Sequence, residues 1–110
     1  MMTSPDLYDM EEGAEPANPE SFAILVQCQI GLDGPAADTF DIVVLSPDQV
    51  VDQLNESGLL VGRGYLFMRR YDLRLLREEV LKWCRLAEAE DWEISAEILN
   101  RYMLWEFGSR

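Results

Sequence analysis

Strict alternation of apolar and polar positions marks two strands near the middle of the chain. In residues 22–30, FAILVQCQI, Phe22, Ile24, Val26, Cys28 and Ile30 fall on one face, with Ala23, Leu25, Gln27 and Gln29 on the other. That is the two-residue period of a strand. Gly31, Gly34 and Pro35 punctuate a turn over 31–37. Residues 38–45, DTFDIVVL, then alternate again, with Phe40, Ile42 and Val44 opposite Thr39, Asp41, Val43 and Leu45. So short a loop between neighbouring strands favours an antiparallel hairpin. The period changes at Ser46, which suits an N-cap, with Pro47 at the first helical position and Gln49 at capping-box spacing. Val50, Val51 and Leu54 give this helix a short apolar face, and Gly58 ends it.

A third strand is expected over 59–71, LLVGRGYLFMRRY, where Gly62 and Gly64 suggest a bulge or a close backbone approach before the strand proper. Asp72 caps the next helix, in which Leu73, Leu76, Val80, Trp83, Cys84 and Ala87 recur at helical spacing. After a polar break at 88–91, Asp91 caps a last helix with Trp92, Ala96, Leu99 and Met103 on one face, and the chain closes on LWEF at 104–107. The order is β-β-α-β-α-α plus a short terminal segment. It predicts an α+β domain over 22–110, a small antiparallel sheet with helices packed on one face. Residues 1–21, with three prolines and six acids, read as an acidic flexible tail, too poor in apolar side chains to offset their ordering entropy. No apolar run approaches transmembrane length, and no positively charged segment precedes an apolar one near the N-terminus, so the expected location is the cytoplasm.

Charge sharpens this picture. Residues 1–62 contain no Lys, Arg or His but twelve acids, while 63–110 hold nine acids and nine bases. The whole net charge of −12 belongs to the N-terminal part. A field of that sign repels nucleic acid and anionic lipid and speeds encounter with basic proteins.

Candidate chemistry is sparse. The chain has no His, which removes the commonest general base, nucleophile activator and metal ligand. Cys28 and Cys84 lie in apolar runs without a CxxC or metal-ligand spacing and read as buried reduced thiols, with one disulfide between them as the alternative. The carboxylates show neither an EF-hand pattern nor a same-face pair at 38 and 41, and GRGY at 62–65 is no phosphate loop. The expectation is a chain without enzymatic activity, cofactor or metal. Arg69, Arg70, Arg74, Arg77, Lys82 and Arg85 could form a basic stripe, but the acids among them favour internal pairing over nucleic-acid binding. Trp83 and Trp92 belong to the core by spacing, whereas Trp105 is either a core plug or an interface anchor.

Several segments together carry a resemblance: FDIVVLSP at 40–47, GRGYLFMRRYD at 62–72, WEISAEIL opening at 92, and LWEF at 104–107. In order and spacing this set resembles the bacterial immunity protein family known as immunity protein 8, over about residues 22–107. Gly64 stands where a His is common in that pattern, and only Gly108, Ser109 and Arg110 follow where acids are frequent. The resemblance implies an α+β protein that neutralises a cognate toxin of a polymorphic-toxin system by direct binding. It hands over no binding residues. Those expected to form the inhibitory face are the acids of the turn, the second strand and the first helix: Asp33, Asp38, Asp41, Asp48, Asp52 and Glu56. A basic nuclease-type toxin fits such a face, since carboxylates can occupy phosphate positions. The alternative is an adaptor or regulatory binding module with no toxin partner. A toxin gene immediately upstream distinguishes the two.

Overall fold

The computed structural model describes residues 4–12, 15–32 and 37–108. Among them are five strands and three helices: β1 (Asp6–Glu12), β2 (Ala23–Gly31), β3 (Asp38–Leu45), α1 (Pro47–Ser57), β4 (Tyr65–Phe67), α2 (Leu73–Leu86), α3 (Trp92–Leu99) and β5 (Leu104–Trp105). The strands form one sheet in the order β1-β2-β3-β4, and β5 shares the β3 edge with β4. The class is α+β, as the alternation predicts.

The central hairpin follows its sequence pattern residue by residue. β2 and β3 run antiparallel from Ala23↔Leu45 to Ile30↔Asp38. Val26, Cys28, Ile30, Phe40, Ile42 and Val44 point to one face and are fully buried. Leu76, Val80, Trp83 and Cys84 of α2, Ala96 and Leu99 of α3, and Met103 close this core from the helical side. Trp83 stacks on Tyr102 at a centroid distance of 5.1 Å. Both helices begin as their caps predict: Asp72 accepts from the Leu75 N–H and Asp91 from the Ile94 N–H, each at an extended N-cap.

Three features depart from the pattern. The supposed tail contains β1, which pairs antiparallel with β2 through Leu7↔Ile30 and Met10↔Cys28. Leu7 is buried and Met10 packs on the core, so two apolar side chains and the ladder to β2 order a segment whose acids and prolines suggest disorder. A bulge between Leu7 and Asp9 brings Leu7 and Met10 to the core side despite their odd spacing. Secondly, the sheet is mixed. β4 runs parallel to β3 in the register Val43↔Tyr65 to Leu45↔Phe67, because α1 lies between them as a crossover. Thirdly, the strand expected over 59–71 shrinks to three residues. Gly64, buried at φ +85°, accepts from the Val43 N–H with its carbonyl and lies so near Leu104 that a Cβ would meet the Leu104 Cγ at 3.0 Å. This is the close approach the Gly62/Gly64 pair suggests, and only glycine fits it.

Candidate partner-binding surface

The acids singled out by sequence do not form one face. Asp33 lies outside the described residues. Asp38 and Asp41 sit on opposite faces of β3, as alternation requires. Asp38 is on the core side, where its Oδ2 accepts from the Trp92 Nε1–H at 3.1 Å and from the Trp105 Nε1–H at 3.0 Å. Phe40 completes this cluster, edge-on to Trp92 and stacked on Trp105, each at 6.2 Å. Asp38 therefore holds two half-buried indoles in place. Trp92, expected in the core, keeps a solvated edge because its N–H reaches this carboxylate at the sheet margin. Asp41 faces the other side of the sheet, opposite Gln27, and its Oδ1 is buried with no hydrogen-bond donor among the described residues.

The remaining three acids come together on α1. Asp48, Asp52 and Glu56 are four residues apart and line one stripe, since successive fourth residues share a helix face. Gln49, Gln53 and Ser57 complete a shallow polar groove beside Asp52 and Glu56. Among the described residues the ion pairs are Arg70–Glu20, Arg74–Glu78 and Lys82–Glu79, all exposed. None involves the α1 acids.

Asp48 is set by its neighbours at the head of the helix. The hydroxyls of Ser21 and Ser46 donate to its carboxylate, which holds its pKa below the ordinary Asp value, helped by the Gln49 N–H and its own. Ser46 does not form the expected capping box. Its hydroxyl accepts from the Phe22 N–H at 2.9 Å, and its own N–H donates to the Phe22 carbonyl at 3.0 Å. The side chain thus ties the end of β3 to the start of β2, and the acid at 48 interacts with the helix start instead.

The helix is seated unusually. None of its residues is buried, and the half-buried ones are Gln49, Val50 and Gln53. Val51 and Leu54 remain 55% and 40% exposed, and Leu59 and Val61 in the following loop 66% and 68%. The apolar face read from Val50, Val51 and Leu54 is therefore only partly used for packing. The sequence places these side chains on one apolar face of the helix but does not show the direction in which that face is turned. The available signal was the wheel position of Gln49 and Gln53, which places polar residues where the body of the molecule lies.

Burial, then the neighbouring Cys84 and acids, pushes the Cys28 thiol up to about 12, and burial pushes Cys84 up to about 11, so both are protonated and unreactive near neutral pH. Both cysteines are free. Among the described residues no three His, Cys, Asp or Glu side chains converge as metal ligands do, and no helix is long and apolar enough to cross a membrane. A cleft of about 660 Å³ beside β4 and α2 is lined by apolar side chains including Phe67 and Leu75 and by Arg69 and Arg70.

The chain is a small α+β protein with an exposed, acidic, partly apolar helix. The family model described as Immunity protein 8 matches residues 2–109, nearly the whole length, and the chain belongs to that family. No curated protein and no solved structure matches it. The match includes β1, which lies ahead of the segments that carry the resemblance in the sequence. Membership assigns the coarse function, immunity against a bacterial toxin.

Proposed function

We propose that this chain protects its producer by binding a cognate toxin directly, in the cytoplasm and without catalysis, with the α1 carboxylates as the electrostatic part of the contact. The supporting observation is the stripe of Asp48, Asp52 and Glu56, which no Lys or Arg of the described residues neutralises. An uncompensated stripe on a chain of net charge −12 attracts a basic surface and raises association rates to as much as ~10⁸–10⁹ M⁻¹s⁻¹ at low salt. A basic nuclease-type toxin supplies such a surface, because its cleft is built for phosphates and carboxylates can take their places. Asp41, half-buried on the sheet face opposite the core, is a second contact candidate. Asp38 is committed to Trp92 and Trp105 and serves the fold. Two free, buried thiols suit a reducing compartment.

The test is protection. Cells expressing the toxin from the adjacent gene should die without this chain and grow with it, and the two proteins should co-purify. Death in the presence of folded, expressed chain overturns the reading.

A further inference from the structure

We infer that α1 is a docking helix whose outward face, with Val51 between Asp48 and Leu54, bordered by Asp52 and followed in the chain by Leu59 and Val61, anchors a toxin surface that combines Lys or Arg with apolar side chains. This rests on the toxin-binding reading above and names the part of the molecule that carries it.

The orientation of the helix is the first argument. Gln49, Val50 and Gln53 are the half-buried residues, so two glutamines face the body of the molecule. Val51 lies on the opposite side of the helix at 55% exposure, and Leu54 is 40% exposed. A helix stabilised by its own domain would turn these inward. Length is the second argument. Eleven residues fall short of the roughly 12–15 that hold a helix in water without packing. Its ends are secured locally, by Asp48 at the head and by Gly58 at φ +83°, whose N–H donates to the Leu54 carbonyl at 2.7 Å. The middle therefore presents apolar side chains on a pre-formed scaffold, the arrangement of an anchor.

Charge identifies the occupant. Val51 has Asp48 as its neighbour one turn back and Asp52 borders the same outward face, in a segment without a single base. A second copy of this chain would bring like charges face to face, whereas a basic partner neutralises them. Apolar anchors slow dissociation, and flanking charges speed association.

Binding of the catalytically inactivated toxin from the adjacent gene should be followed by surface plasmon resonance across a salt series, with hydrogen exchange of the free and bound chain. Val51→Ser/Leu54→Ser should raise koff on the order of 100-fold and leave kon and its salt slope unchanged. Asp52→Lys/Glu56→Lys should lower kon about tenfold or more and flatten its salt dependence. Amides of residues 49–59 should gain protection in the complex. Wild-type binding with both variants unchanged and 49–59 unprotected overturns the docking helix while the toxin-binding reading stands. No wild-type binding removes that reading and the inference together. If Val51→Ser/Leu54→Ser melts, exchange on the wild-type complex decides alone. Dimerisation of the free chain with 49–59 protected assigns the face to a second copy and overturns the inference.

Discussion

Asp38 receives two indole N–H groups on one oxygen, from tryptophans 54 and 67 residues further along the chain. Removing the carboxylate leaves both donors half-buried and unpaired, each a penalty in the range of about 1–3 kcal/mol when fully buried. Asp38→Ala should therefore cost about 2 kcal/mol in urea unfolding, and Asp38→Asn less, because an acceptor remains. Toxin affinity of the folded Asp38→Asn protein should stay close to wild type. Counting acids finds Asp38 in the sequence, but no local spacing shows that two distant tryptophans converge on it. Asp41 is the converse case. Its Oδ1 is buried without a donor, in the middle of a strand. Asp41→Thr replaces that atom with a better strand former and should raise stability by about 1 kcal/mol, read as a higher melting temperature. Asp48 makes a pH-dependent prediction. Its folded pKa is lowered, chiefly by the Ser21 and Ser46 hydroxyls. Its stabilisation is therefore present above the ordinary Asp value and is lost as pH falls through the lowered one. A carboxyl-carbon NMR titration should place its midpoint below that of a free Asp, and Ser21→Ala should move it back up.

At the scale of elements, local pattern locates the hairpin, all three helices and the Asp72 and Asp91 caps, because each of those depends on residues close in sequence. The Ser46 capping box fails because that hydroxyl is taken by Phe22, distant in the chain. Local pattern also fails for strands whose partners are distant. β1 is seven residues of mostly acidic and polar character, and its order comes from the ladder to β2 and the burial of Leu7, neither of which is visible within the segment. Leu7→Ala should accordingly cost about 2–3 kcal/mol, as core leucine truncations do, whereas the same change in a flexible tail costs nothing. Hydrogen exchange adds a second measurement: amides of β1 that donate to β2 should be protected. β4 was overestimated for the opposite reason. Residues 59–71 have strand-like composition, but only Tyr65–Phe67 finds a neighbour, parallel to the last residues of β3. Leu59 and Val61 ahead of it and Phe67 at its end stay exposed. The candidate surface was legible only in its charges. Its apolar part was concealed because a helical stripe in sequence reads as core until the seating of the helix is known.

For the whole molecule, net charge acts on folding and on binding with opposite signs. Most of the excess of acids lies on β1, β3 and α1, which one sheet and its crossover helix hold together, so their mutual repulsion opposes the compact state. The ion pairs between described residues offer little to offset it. They are exposed, with N–O separations of 3.8–4.0 Å, in a class worth about 0–1 kcal/mol. Salt screens the repulsion over a Debye length of about 10 Å at 0.1 M and about 3 Å at 1 M. Raising sodium chloride from ~20 to ~500 mM, which shortens the Debye length from roughly 20 to about 4 Å, should therefore raise the melting temperature of the free chain. The same change should slow association with a basic toxin, because the attraction that steers encounter is screened too. Thermal melts and stopped-flow association on one protein stock measure both. A melting temperature that falls with salt would mean that attractive pairs dominate the fold. An association rate that ignores salt would mean that the acidic surface does not meet the toxin, whatever else does.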